Sequence, residues 1–283
     1  MYKLLFIPFL FFSSLFSDEP KPFVVGDLKG QLGNQMFEIA TALSLAWDND
    51  AVAYFPDLRE KDKFNIQRNF EKVFFRINAD TPPREVLSEY EEQDHTFQAI
   101  PFTPDMKIYG FYQSEKYFKH YREEIVELFQ PVPEIMDYLH EKYAEIIDHP
   151  KTVAIHVRSY FAEDPNRSCF HLCSRQYFTN AMELFPDEDT LFVVFSDQMW
   201  WCKFAFRKFE RQVIYIEDES YHHDFYLMSL CKNNIISNSS FSWWAAYLNQ
   251  NPEKVVVAPA KWMRNKNLDD QDMVPEDWIK VDW

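Results

Sequence analysis

Residues 233–248 read NNIISNSSFSWWAAYL, and this stretch decides the fold. Its two isoleucines are typical of the end of a short buried strand, and a polar turn at 237–240 follows them. Apolar residues then continue at helical spacing to residue 248. A helix that starts in a serine turn has unpaired N–H groups and the positive end of its dipole at that turn. The pattern therefore predicts a phosphate site, with an ordinary serine-capped helix as the alternative.

Strands and helices alternate throughout the second half of the chain. The sequence predicts strands at 152–157, 191–195, 213–216, 234–237 and 254–258, separated by helical patterns at 174–185, 198–209, 222–231 and 241–249. Such alternation favours a parallel, doubly wound sheet, in which ligands bind beyond the carboxyl ends of the strands. His156, Arg158, Ser196 and Asp197 fall at those ends, as does the serine turn. Arg158 suits bidentate hydrogen bonding to a phosphate, with a surface ion pair as its alternative role.

The folded part of the first half begins with a strand, a glycine loop and a helix. A strand pattern at 23–26 leads into a loop that contains three of the four glycines, Gly26, Gly30 and Gly33. Glycine permits tight turns and close approach of the backbone to a ligand. A helix that is apolar on most faces follows at 36–47. The loop is neither a G-x-G-x-x-G fingerprint nor a P-loop, so it does not define a ligand by itself.

The rest of the first half has a less regular pattern. Residues 56–106 show no clean period, so we expect short elements there. The sequence then predicts a strand at 107–112, a helix at 114–129 capped by Ser114, and a second helix at 134–147.

Composition limits the kinds of partner. The 283 residues suit one large domain or two of ordinary size. The net charge of −16 opposes binding to nucleic acid, because that needs a broad basic face. A phosphorylated ligand must therefore meet a local cationic pocket.

The amino-terminal segment differs from the rest. Lys3 precedes a dense apolar run at 4–12, and serines follow that run. This order is typical of a secretory signal peptide or a short signal anchor, although a first buried strand is the alternative. The run is shorter than the ~20 apolar residues of a comfortable spanning helix. We predict a targeting segment with its linker at 1–21, with residues 4–16 as a possible membrane tether.

Four segments, taken together, resemble glycosyltransferase family 11, the α-1,2-fucosyltransferases that use GDP-fucose. They are GQLGNQMF at 30–37, YGFYQSEKYF at 109–118, FSD with WC at 195–202, and YLMSLC through NSSFSWW at 226–244, with AP and KW behind them up to residue 262. The resemblance implies an α/β fold of the GT-B type, in which two Rossmann-like halves with parallel sheets face a cleft. Residues 22–150 would form the acceptor-side half and residues 151–283 the half that binds the GDP-sugar.

The resemblance also implies a reaction. It is the inverting, metal-independent transfer of L-fucose from GDP-fucose to the 2-hydroxyl of a galactose-containing glycan, with no cofactor besides the donor substrate. Arg158 would hold the donor β-phosphate, and His156 would orient that site. The donor-binding residues would be Asn34, Asp197, Ser237, Asn238, Ser239 and Ser240. Asn34 and Asp197 have helix N-caps as their alternative roles.

One motif departs from the family pattern. The usual His-x-Arg-Arg-x-Asp reads HVRSYF at 156–161, so Ser159 replaces the second arginine and Phe161 the aspartate. Loss of a charge-assisted hydrogen bond costs ~1.5–3 kcal/mol. Two alternatives therefore stay open: a related transferase with another donor or acceptor, and a non-catalytic GDP-sugar or glycan-binding homologue.

Acidic clusters are expected to be structural. Asp-x-Asp triplets occur at 48–50, 187–189 and 270–272, but none follows a strand as in metal-dependent transferases, so we predict solvated turns and no metal site. Residues 221–224, YHHD, are expected to start a helix. Spacing identifies no carboxylate as the general base that an inverting mechanism would use.

The amino-terminal segment also bears on location. It predicts a membrane-associated or secretory protein. Cytoplasmic placement is the alternative, because bacterial members of the family generally work where GDP-fucose is made.

Overall fold

A computed structural model of the protein describes residues 20–159, 170–264 and 268–282. Most of the predicted targeting segment, residues 1–19, lies outside these ranges, as does Phe161 of the altered motif. None of the helices within the described ranges combines the length and the apolar character needed to cross a bilayer.

The first half forms a four-stranded parallel sheet in the order β2-β1-β4-β3. Its strands are β1 (Phe23–Gly26), β2 (Val52–Tyr54), β3 (Ser88–Glu91) and β4 (Met106–Tyr109). The helices of this half are α1 (Leu32–Asp48), α2 (Asp57–Glu60), α3 (Ile66–Asn69), α4 (Arg122–Leu128), α5 (Pro133–Lys142) and α6 (Ala144–Ile147). All four residues of β1 are buried, as expected for a central strand covered on both faces.

The second half forms a six-stranded parallel sheet in the order β10-β9-β8-β5-β6-β7. Its strands are β5 (Thr152–Val157), β6 (Leu191–Ser196), β7 (Gln212–Tyr215), β8 (Asn233–Ile235), β9 (Val256–Pro259) and β10 (Ile279–Val281). Its helices are α7 (Arg175–Glu183), α8 (Met199–Phe206), α9 (Tyr221–Leu230) and α10 (Ser240–Leu248). Five of these strands match the predicted alternation, whereas β10 carries no clear signal because it is short and mostly exposed.

An aromatic cluster on α10 packs against the first half. The ring of Trp244 stacks on Phe118 with centroids 5.2 Å apart, and Trp243 lies 4.5 Å from Phe37. Both tryptophans are fully buried. They are core residues, as predicted, and they bind α10 to the first half of the chain.

The predicted helix at 114–129 is shorter than expected. Two 3₁₀ turns, Glu115–Tyr117 and Lys119–Tyr121, precede α4. Ser114 does cap the first turn, accepting a 3.3 Å hydrogen bond from the backbone N–H of Lys116. The helical path is interrupted at Phe118, whose backbone leaves the helical region while its ring enters the α10 cluster. Tertiary packing therefore overrides the local helical pattern here.

Candidate active site

A cavity of about 700 Å³ lies between the two halves. The second half contributes His156 near the end of β5, Arg158 directly after β5, Asp197 after β6, and the start of α10. The first half contributes the glycine loop with the start of α1, and the aromatic side chains of Phe64 and Phe111. The carboxyl ends of several strands of the second sheet thus lie at one site, as the sequence predicts.

The starts of α1 and α10 touch at this cavity. Gly33 permits the contact, because a Cβ there would lie 2.5 Å from the carbonyl carbon of Ser240. Asn34 follows in the first turn of α1, so it is not the N-cap, which is Gln31. The Asn34 side-chain oxygen accepts 2.8 Å hydrogen bonds from the Ser240 hydroxyl and from the amide of Gln113. Two helix N-termini therefore bring their positive dipole ends to one place.

Arg158 and Asp197 form an ion pair at the edge of the cavity. The other oxygen of the Asp197 carboxylate accepts hydrogen bonds from the backbone N–H and the hydroxyl of Ser159, at 3.1 and 3.2 Å. The N-cap of α8 is Gln198, so Asp197 does not have that alternative role. Asp197 instead orients the Arg158 guanidinium.

The serine turn lies directly beside Arg158. The backbone N–H of Arg158 donates to the Ser237 hydroxyl at 3.0 Å, and that hydroxyl donates to the His156 carbonyl at 2.6 Å. The Asn238 amide donates to the carbonyls of His171 and Trp262. The side chains of Ser237 and Asn238 are fully buried, and these contacts fix the shape of the turn. Their predicted contacts with the donor stay predictions.

The rest of the turn starts α10. Ser239 is the N-cap residue by its extended backbone, but its side chain makes no capping hydrogen bond. The hydroxyl of Ser240 is used across the cleft, to Asn34. The helix therefore lacks the ordinary serine cap that was the alternative to a phosphate site.

His156 is buried beside the cavity. Burial, together with the Arg158 charge, lowers its pKa to about 3, so the imidazole is neutral near pH 7. Its Nδ1 has no hydrogen-bond partner in the described chain. A neutral ring in this position suits an orienting role more than proton transfer at neutral pH.

The start of α9 also lines the cavity, with Glu219, Tyr221 and Asp224. The helix begins at Tyr221, as predicted, and the Ser220 hydroxyl caps it by accepting from the His223 N–H at 3.2 Å. The prediction missed the link to the site. The sequence order contains this link, because these residues follow β7 at the same edge of the sheet as the other predicted site residues.

Glu219 is held by four side chains. It accepts hydrogen bonds from the Tyr138 and Tyr143 hydroxyls at 2.8 Å and from the His223 ring at 2.7 Å, and it pairs with Lys142. Burial would raise the pKa of Glu219, but these hydrogen bonds outweigh it and lower the pKa to about 2. The carboxylate is therefore charged, and it ties α5 and its neighbour Tyr143 to α9.

Phe64 and Asn65 form a strained corner at the cavity mouth. Their φ values are +56° and +57°, which are rare for side-chain-bearing residues and especially for a bulky phenylalanine. The buried Gln35 amide holds the corner by donating to the Phe64 carbonyl at 3.0 Å. Gln35 in turn accepts from Asn69 at 2.7 Å, and Asn69 accepts from the Tyr221 hydroxyl at 2.8 Å. A side chain of the second half thus supports the corner, and the Phe64 ring is 46% exposed.

Within the described ranges, no three His, Cys, Asp or Glu side chains are grouped so as to hold a metal ion.

The model of the family described as Glycosyl transferase family 11 matches residues 18–282. The chain is 28% identical to an Escherichia coli alpha-1,2-colitosyltransferase, covering 92% of this chain and 99% of that protein. It is 30% identical to a galactoside alpha-(1,2)-fucosyltransferase 1 of Leontocebus fuscicollis, over 77% of this chain and 63% of that protein.

Solved structures share the fold. NodZ alpha-1,6-fucosyltransferase soaked with GDP-fucose superposes with a TM-score of 0.52 at 14% identity, covering 81% of this chain and 92% of that one. A variant of Arabidopsis thaliana FUT1 in complex with GDP also gives a TM-score of 0.52, at 15% identity, covering 92% of this chain and 77% of that one. The predicted α/β fold of the GT-B type is confirmed.

Proposed function

Because the chain belongs to glycosyltransferase family 11, we propose that it transfers L-fucose from GDP-fucose to the 2-hydroxyl of a galactoside in a glycan. The observation that carries the proposal is the meeting of Arg158, the serine turn and Asn34 around one cavity between the halves. Its volume, about 700 Å³, is within the usual range for a small-molecule site.

The electrostatics of the cavity support a diphosphate leaving group. The protein as a whole is acidic, yet this cavity holds the Arg158 guanidinium, oriented by Asp197, together with the positive dipole ends of two helices. As the bond from the anomeric carbon to the β-phosphate breaks, negative charge grows on GDP. The Arg158 guanidinium and the N–H groups at the start of α10 are fixed in advance to stabilise that charge. We propose that this step proceeds without a metal ion, which the chelator experiment below tests.

We propose that the acceptor lies against the aromatic part of the cavity lining. Phe64 presents an exposed aromatic ring there, and Phe111 lines the same cavity. An aromatic face covers the apolar side of a sugar ring, while the polar residues around it offer hydrogen bonds. We assign this wall to the galactoside.

Transfer of colitose is the second candidate, because the Escherichia coli relative with that activity in its name is similar over 92% of the chain. The two candidates share the fold and the leaving-group site and differ in the donor sugar.

The test is incubation of the purified protein with GDP-fucose, or with a nucleotide-activated colitose, and a panel of galactosides, with products identified by mass spectrometry. Fucosylated product, with turnover unchanged by a chelator, supports the proposal and its metal independence. GDP binding without turnover of either donor would contradict it and favour a non-catalytic homologue. Placement at a membrane or in the secretory pathway, through residues 4–16, stays a prediction.

A further inference from the structure

Three carboxylate side chains of the described chain line the cavity, and two of them are fully engaged. Asp197 uses one oxygen for Arg158 and the other for Ser159. Glu219 uses Oε1 for two tyrosines and a lysine, and Oε2 for the His223 ring. Neither carboxylate has capacity for a substrate proton without losing contacts that hold the site together.

Asp224 differs from both. It lies in the first turn of α9, where its backbone N–H donates to the Ser220 carbonyl at 3.0 Å and fixes the helix start. Its Oδ1 is buried and has no hydrogen-bond partner among the described residues. An ionised carboxylate oxygen that is buried and unpartnered is costly for a fold, so this oxygen favours the protonated form of Asp224, while the side chain as a whole lines the cavity.

We propose that Asp224 is the general base that accepts the proton of the attacking acceptor hydroxyl. This assignment rests on the proposed function. The acceptor oxygen forms a bond to the anomeric carbon, and the bond from that carbon to the β-phosphate oxygen breaks. The electron pair of the broken bond leaves with GDP, and the hydroxyl proton moves to the Asp224 carboxylate.

The surroundings of Asp224 suit this task. Burial and the nearby Glu219 charge raise the pKa of Asp224 to about 7, and a base works best when its pKa is near the working pH. The other charged or titratable groups around this helix start are Lys142 and His223, which contact Glu219, Arg68, which lies over the Tyr221 ring, and His156 and Arg158, which line the same cavity. Because the base must be deprotonated, turnover should rise with pH through about 7.

Asp224→Asn tests the assignment while keeping the shape of the side chain. We expect kcat to fall by roughly 10²–10⁴-fold, which is the usual contribution of a general base. GDP affinity, measured by calorimetry, should stay within about twofold of wild type, which also reports that the variant folds. The residual kcat of the variant should no longer rise with pH near 7. Asp189→Asn, on an exposed surface aspartate paired with Lys151, is the matched control and should leave kcat unchanged.

The possible outcomes separate the two proposals. If the wild type transfers sugar and Asp224→Asn keeps both its kcat and its rise with pH, the base assignment is wrong and the proposed function stands. If wild-type kcat does not rise with pH anywhere between pH 5 and 9, the assignment is also wrong, whether or not the variant folds. If the wild type transfers neither sugar to any galactoside, the proposed function fails and the base assignment fails with it.

Discussion

The side-chain oxygen of Asn34 accepts a 2.8 Å hydrogen bond from the hydroxyl of Ser240, which lies 206 residues later in the chain. The bond joins the first turn of α1 to the first turn of α10, at the inner wall of the cavity. Beside it, Gly33 allows the two helix starts to approach at backbone distance. The geometry of the cleft at this wall therefore depends on contact between the halves.

Gly33→Ala tests that contact. Helix propensity predicts a gain of ~1 kcal/mol from replacing a helical glycine by alanine. The structure predicts the opposite, because the new methyl group would lie 2.5 Å from backbone atoms of Ser240 and force the helices apart. We expect a loss of ~1–3 kcal/mol in the free energy of unfolding, the usual cost of overpacking, measured by urea denaturation. Gly33→Ser should lose at least as much, and a stabilised Gly33→Ala would refute the close contact.

Arg158→Ala tests the proposed phosphate site. Removing a charged hydrogen-bond donor costs ~1.5–3 kcal/mol, so GDP should bind roughly 10- to 150-fold more weakly by calorimetry. Arg158→Lys should fall between alanine and wild type, because lysine keeps the charge but lacks the planar fork. Arg59→Ala is the control, since that arginine pairs with Asp80 on the surface and does not line the cavity. Equal GDP affinity in Arg158→Ala and wild type would show that the phosphate binds elsewhere.

Ser159→Arg introduces the second arginine that the family resemblance implies at this position. Ser159 adjoins Arg158 and contacts Asp197, so a guanidinium placed there adds positive charge beside the proposed phosphate site. We expect GDP to bind up to about tenfold more tightly, equivalent to ~1.4 kcal/mol. Ser159→Ala removes the same hydroxyl without adding charge and should not tighten binding. If both variants bind GDP with the wild-type affinity, position 159 does not face the diphosphate.

The sequence predicted the second half of the molecule better than the first. Strand periodicity is local, and the rule that ligands bind at the carboxyl ends of parallel strands placed Arg158, Asp197 and the serine turn at one edge. The same rule also applies to Glu219 and Asp224, which follow β7. The sequence around them is typical of an ordinary helix start and contains no motif that marks either carboxylate as a site residue. The base candidate therefore became visible only when the partners of each carboxylate were known.

Features that depend on distant contacts could not be predicted. The positive φ of Phe64 is set by Gln35 and Asn69, and Asn69 is itself held by Tyr221 of the other half. Local propensity disfavours that backbone conformation for phenylalanine. The break at Phe118 likewise arises from packing on Trp244 rather than from a proline or glycine.

Phe64→Ala tests the acceptor wall. The ring is 46% exposed, so its removal should cost little stability. Loss of the apolar area that it covers on a sugar, at ~25 cal/mol per Å², should raise the KM for the galactoside by roughly three- to tenfold. GDP affinity should not change. Phe75→Ala removes a similarly exposed ring that does not line the cavity and serves as control, and equal galactoside KM values in both variants would argue against an aromatic acceptor platform.

His222 makes the free energy of unfolding depend on pH, and a single substitution separates its contribution from those of the other titratable groups. The side chain is 2% exposed and its Nε2 lies 3.0 Å from the Asn69 side-chain oxygen. Burial lowers the pKa of His222 to about 3, with the neighbouring positive groups adding to the effect. In the unfolded chain the pKa is near 6.5, so below pH 6.5 the unfolded state binds a proton that the native state does not. This contribution to stability is complete above pH 6.5 and is lost as pH falls toward 3.

His222→Gln keeps a donor for Asn69 and removes the titration. The free energy of unfolding of wild type, relative to this variant, should therefore fall by about 1.4 kcal/mol per pH unit between roughly pH 5.5 and 4. Urea denaturation of both proteins at half-unit intervals of pH measures the difference directly, and the comparison cancels the other carboxyl and histidine groups. Parallel stability curves would mean that His222 takes up a proton in the native state, which its burial against Asn69 and the adjacent Arg68 opposes.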